Sequence, residues 1–127
     1  MKLDHIVLYV KDLENTRKFF IDHFGAVSND MYHNPKTGLK TYFLSFGDGA
    51  RLEIMSRPDT VDDEKKHLRT GFIHLAFSAG GKSQVDSLTK RLHDAGYAVV
   101  SGPRTAGDGC YESCIEGPEG NLIEISE

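Results

Sequence analysis

Four residues carry the chemistry that this chain could do. His5 heads the apolar run HIVLYV, and Glu53 sits inside RLEIMS at 51–56. His74 heads HLAFS, and Glu124 sits inside NLIEIS at 121–126. Neutral imidazole and carboxylate suit a divalent cation such as Zn, Ni, Co, Mn or Fe(II), and together these four make a set of two nitrogen and two oxygen donors. Glu53 follows His5 by 48 positions and Glu124 follows His74 by 50. A lone strand histidine is ordinarily a hydrogen-bonded core or edge residue, and a lone strand glutamate usually lies on a solvated face. The matched repetition is what argues for a shared task.

The elements that must position these residues repeat too, and a repeat of this kind decides the fold. HIVLYVKDLENTRKFFIDHFGA from His5 runs parallel to HLAFSAGGKSQVDSLTKRLHDAGYA from His74. YFLSFGDGARLEIMS from Tyr42 likewise matches YESCIEGPEGNLIEIS from Tyr111. Each copy predicts a first strand rich in β-branched and aromatic residues, then a helix. In the first copy Asp12 is the N-cap, Leu13, Phe20 and Phe24 share a face, and Gly25 supplies the left-handed stop. In the second, Ser83 and Asp86 read as a near capping box, Val85, Leu88 and Leu92 form the stripe, and Gly96 ends it. Three strands complete each copy, at 26–31, 40–47 and 51–56, then at 97–101, 109–116 and 121–126. The fold class is therefore α+β, two tandem βαβββ modules in one domain of 127 residues: module 1 at about 1–56, a charged linker at 57–70, and module 2 at about 71–127.

Strand alternation puts His5 on the face of Val7 and Tyr9, and Glu53 on that of Arg51 and Met55, with Leu52 and Ile54 turned toward a helix. His74 shares a face with Phe72 and Ala76, and Glu124 with Leu122 and Ser126. If the first and last strands of a module are neighbours, its His and Glu converge.

Composition narrows the partners. The chain is 39% hydrophobic and 27% charged, with a formal net charge of −4 and a pI near 5.8. No basic stripe offers a footprint for a nucleic acid. The opening MKLDHIVLYVKD has too short an apolar run for a signal peptide or membrane span, so a cytoplasmic location is the default expectation. Cys110 and Cys114, four apart in one strand, would lie roughly 13 Å apart, too far for a disulfide, and read as packing residues. The glycines of GDGARLE and GPEGN are those of hairpin turns, lacking the Lys and following helix of a phosphate loop. His23, His33, His67 and His93 fall outside the repeat and read as surface or capping residues.

On these residues the chain resembles the vicinal oxygen chelate superfamily, the glyoxalase/bleomycin resistance/dioxygenase group, and within it the short bacterial glyoxalase I-like branch. LDHIVLYVKDLENTRKFF, FIHLAF and GPEGNLIEI carry the resemblance, which spans the whole chain. It implies a cupped, incomplete barrel around one divalent metal, Ni or Co favoured and Zn an alternative, with His5, Glu53, His74 and Glu124 as ligands. It implies a lyase or isomerase of the lactoylglutathione lyase type, acting on the hemithioacetal of a 2-oxoaldehyde and a thiol through an enediolate. Glu124 is then the general base, and Glu53 a ligand and second proton carrier. A homodimer, with the site within one chain or shared between subunits, is also implied.

Two positions depart from that pattern. Tyr9 stands where glutathione-using members carry an Arg, and the segment after Glu53 reads EIMSRPD where they tend to carry an Asn. The thiol cosubstrate, glutathione or another, therefore stays open. Arg51, Arg57, Arg69 and Arg104 are candidates to hold an anionic substrate, and Tyr9, Tyr42, Phe46 and Phe72 are candidates to line the cup. The alternatives are a metal-free module that binds a small molecule or antibiotic, and a thiol transferase or dioxygenase of the same superfamily.

Overall fold

The computed structural model describes residues 1–65, 68 and 70–127, and the chain divides into two compact units, Met1–Asp63 and Glu64–Glu127. His67 and Arg69, both weighed from the sequence, lie outside the described residues.

In the first unit the order is β1 (His5–Tyr9), α1 (Leu13–Phe24), β2 (Val27–Ser28), β3 (Tyr32–Asn34), β4 (Leu39–Ser45) and β5 (Arg51–Ser56). The strands form one sheet ordered β1-β5-β4-β2, with β3 also on β4. β1 runs parallel to β5, because the chain crosses over through α1, and the other pairs are antiparallel. α1 starts where the Asp12 carboxylate accepts the Asn15 N–H at 2.9 Å and stops at Gly25, whose φ of 66° is left-handed. Its buried stripe is Leu13, Thr16, Phe19 and Phe20, packed with Leu44, Leu52 and Ile54 among the buried residues. Burial of each such large side chain contributes about 1.5–3 kcal/mol.

The second unit repeats this plan with β6 (His74–Ser78), α2 (Lys82–Asp94), β7 (Val99–Thr105), β8 (Tyr111–Glu116) and β9 (Leu122–Ser126). Its sheet is ordered β6-β9-β8-β7, with β6 parallel to β9. Val85, Leu92, Ile115, Ile123 and Ile125 form its core. The class is thus α+β, with two sheets and two helices among the described residues, and neither sheet closes into a barrel. No helix among the described residues is long and apolar enough to cross a membrane.

Three local expectations are corrected. The single strand at 26–31 is two short strands, because Asn29 interrupts it: its side-chain oxygen accepts the Phe43 N–H at 2.7 Å, while its own N–H donates to the Phe43 carbonyl. Ser83 makes no capping box, since α2 begins at Lys82 and the Ser83 hydroxyl donates to the Gln84 side chain instead. The buried stripe of α2 is Val85, Thr89 and Leu92, with Leu88 half-buried.

Candidate metal centre

Parallel pairing of first and last strands sets the site geometry in each unit. β1 and β5 align Val7 with Glu53, which makes His5 and Glu53 diagonal neighbours on one face. His5 Nε2 lies 3.8 Å from Glu53 Oε2, with the side chains 36% and 15% exposed. β6 and β9 align Ala76 with Glu124, and His74 Nε2 lies 3.6 Å from Glu124 Oε2, at 36% and 23% exposure. Each unit therefore brings its own His and Glu together, while Leu52, Ile54, Ile123 and Ile125 turn into the core.

The donor chemistry fits a divalent cation. Zinc-type bonds to His nitrogen and carboxylate oxygen near 2.0–2.2 Å put two donors of a tetrahedral site about 3.4 Å apart, so small side-chain rotations suffice in either pair. Each unit by itself offers two such donors; within neither do three or more His, Cys, Asp or Glu side chains gather as a metal cage among the described residues.

Around the first pair, His5 Nδ1 meets Asp4 Oδ2 at 2.7 Å, and Arg51 donates to the same oxygen at 2.6 Å. The bond to His5, and then Arg51, holds the Asp4 carboxyl below its usual range. The Phe43 ring meets the His5 ring edge-on at 5.4 Å, with the Arg51 guanidinium 4.5 Å above its centre. Around the second pair, Cys114 faces Glu124 across β8 and β9, and burial, then Glu124 and Glu112, push its thiol up. Both cysteines are free and half-buried.

Asp4, Phe43 and Cys114 escaped the sequence reading as neighbours of the site. Only the register of β4 on β5 and of β8 on β9 could have revealed the latter two. Conversely, Tyr42 and Phe46 do not line the donor face. The Tyr42 hydroxyl donates to Glu14 at 2.7 Å with Arg17 stacked over its ring, and Phe46 packs against Phe20 of α1. Tyr9 does share the His5 face and is exposed, whereas Phe72 precedes β6 and is 90% exposed. The arginines read as anion anchors already hold carboxylates: Arg51 on Asp4, Arg57 on Asp59 through two bonds of 2.8 and 2.9 Å, and Arg104 near Glu112 at 3.6 Å. His23 packs its ring against Phe19, while His33 and His93 are exposed.

A sequence profile of the Glyoxalase/Bleomycin resistance protein/Dioxygenase superfamily matches residues 2–125. The chain belongs to this superfamily. The Bacillus subtilis protein YqjT, itself uncharacterized, is 30% identical, over 97% of this chain and 96% of its own. A glyoxalase family protein of Bacillus cereus superposes with a TM-score of 0.86 at 20% identity, covering 100% of this chain and 93% of that one. The trypanothione-dependent glyoxalase I of Leishmania major superposes at 0.80 with 17% identity, covering 100% of this chain and 86% of that one. Likeness to these solved structures establishes the fold. Superfamily membership covers enzymes such as glyoxalase I, whose members commonly bind a divalent metal.

Proposed function

We propose that this superfamily member is a glyoxalase I-like, metal-dependent lyase or isomerase, with His5, Glu53, His74 and Glu124 as ligands to one divalent cation. The observation that carries this reading is the duplicated His–Glu pair, at 3.8 Å in one unit and 3.6 Å in the other, on the sheet face turned away from each core. A cation held there supplies Lewis-acid stabilisation of the charge that builds on two adjacent substrate oxygens. Glu124 takes the proton from the carbon that bears the sulfur and delivers it to the neighbouring carbonyl carbon while the hydroxyl proton passes to the former carbonyl oxygen, converting a hemithioacetal into a 2-hydroxy thioester. Its greater exposure, 23% against 15% for Glu53, supports Glu124 in that role, since a base must reach the substrate carbon. His5 and His74 would hold the cation as neutral donors, with Glu53 the carboxylate that stays on it and Glu124 the ligand that also serves as base.

The thiol is a separate matter. The Leishmania enzyme is trypanothione-dependent, so the fold does not dictate glutathione. With Arg51 and Arg57 occupied by internal carboxylates, an anionic thiol would have to displace Asp4 or Asp59 to use them. A homodimer of cytoplasmic location completes the proposal, with β1 and β6 each at the edge of its own sheet.

Elemental analysis of the untagged protein tests the reading. About one divalent ion per chain, lost in His74→Ala, supports it and justifies assaying hemithioacetals of methylglyoxal with several thiols. No uptake after incubation with Ni, Co, Zn or Mn would refute it in favour of a metal-free binding module.

A further inference from the structure

The two donor pairs differ in what stands behind the histidine. In the first unit Asp4 precedes His5, Arg51 is its register partner across β1 and β5, and Phe43 faces Glu53 across β4 and β5. In the second unit the corresponding residues are Ile73, Leu122 and Cys114. None of the bonds around His5 Nδ1 has a counterpart at His74 among the described residues.

A neutral imidazole carries one proton, and an ionised carboxylate can only accept. With Nδ1 only 2.7 Å from Asp4 Oδ2, the proton belongs on Nδ1, because two facing lone pairs at that distance would repel. Arg51 holds the carboxylate ionised and fixes its position. Nε2 then presents a lone pair toward Glu53 Oε2 at 3.8 Å. Two such donors suit a bridging divalent cation.

We propose that Asp4, held by Arg51, is a positioning residue: it keeps the His5 proton on Nδ1 and aims the Nε2 lone pair at Glu53, so that this half of the donor set is ready before a cation arrives. Partner carboxylates of this kind fix the tautomer and orientation of metal-binding histidines in many proteins. The Asp4 side chain is 71% exposed, and exposed pairs are weak, but a bias of roughly fivefold between tautomers is within their reach. The last step rests on the metal reading above, whereas the tautomer does not.

The test uses the full-length, metal-free protein labelled with 15N-histidine, at a pH where the His5 shifts no longer move and the ring is neutral. Long-range proton–nitrogen correlations, assigned with His5→Gln, report which nitrogen carries the proton. We expect Nδ1 in the wild type and a shift toward Nε2 in Asp4→Ala, with His74 unchanged. A proton on Nε2 in the wild type, or the same pattern in Asp4→Ala, overturns the proposal. Zinc affinity, measured by competition with a chromophoric chelator, should weaken about five- to tenfold in Asp4→Ala. It should weaken less in Arg51→Leu, which copies Leu122, and no further in the double variant, because Arg51 acts through Asp4. Unchanged affinity in Asp4→Ala, or additive losses in the double variant, would overturn it. A wild type that takes up no zinc refutes the metal reading alone, and the tautomer measurement still decides the role of Asp4.

Discussion

Thr89 and Ser113 join α2 to β8 through a hydrogen bond of 2.6 Å between two hydroxyls that are 3% and 1% exposed. Its direction can be worked out. Thr89 Oγ1 has one proton and gives it to the Val85 carbonyl at 2.6 Å, so Ser113 must be the donor to Thr89. Thr89→Val removes the acceptor and strands a buried Ser113 donor, which costs about 1–3 kcal/mol. The added methyl offsets up to about 0.8 kcal/mol of that, leaving a net loss near 1–2 kcal/mol. Ser113→Ala removes only an incoming proton from an oxygen still bonded to Val85, and should cost about 0.5–1 kcal/mol. The double variant leaves no stranded group and should be more stable than Thr89→Val alone. Urea unfolding followed by circular dichroism, with m unchanged, measures all three. Ser113→Ala costing as much as Thr89→Val, or a double variant at the sum of the two, would refute the assignment of donor and acceptor.

Other outcomes follow from the same geometry. Tyr42→Phe should lose about 0.5–1.5 kcal/mol of stability by removing its bond to the exposed Glu14, yet leave metal content and KM unchanged, because the hydroxyl points to α1 and off the donor face. Glu124→Gln should lower kcat by about 10²–10⁴ with much of the metal retained, while Glu53→Gln acts mainly on metal affinity; the reverse pattern would exchange their roles. The Lys90 hydrogen bond holds the Asp94 carboxyl below the usual aspartate range, so this exposed pair contributes at pH above that range and its contribution fades as pH falls through the lowered folded value. A carboxyl titration by NMR should find Asp94 titrating at higher pH in Lys90→Met than in the wild type.

The ends of α1 were legible because their causes are local: Asp12 bonds three residues ahead, and Gly25 needs no partner to turn left-handed. The start of α2 was not, because Gly81 at φ 154° brings the chain in and Ser83 spends its hydroxyl on Gln84. Parity along each strand sufficed for the His–Glu pairs, since both members lie on strands whose alternation is clear and whose parallel pairing follows from the helical crossover. Parity was not enough for the aromatics. Which of Tyr42, Phe43 and Leu44 faces Glu53 depends on the length of the turn around Gly47 and Gly49, and a slip of one residue would exchange the faces. Phe43 therefore replaces Tyr42 and Phe46 beside the donors for a reason that resides in tertiary register.

The comparison between units separates what the repeat keeps from what it lets vary. A histidine at the head of the first strand and a glutamate in the middle of the last recur with separations of 3.8 and 3.6 Å. Their immediate neighbours do not recur: Asp4, Arg51 and Phe43 in one unit stand against Ile73, Leu122 and Cys114 in the other. Neighbours that served only to complete two equivalent sheets would have no reason to differ so much in charge. The first unit carries a carboxylate and a guanidinium behind its histidine, which fixes that ring in place. The second carries Ile73, Leu122 and a Cys114 thiol whose proton burial and the nearby acids hold in place. Glu124 faces Cys114 across β8 and β9, whereas Glu53 stands on the same strand face as Arg51. The proposed division of labour matches this asymmetry: the half whose histidine Asp4 and Arg51 restrain contributes Glu53 as a ligand, and the other half contributes Glu124 as the base.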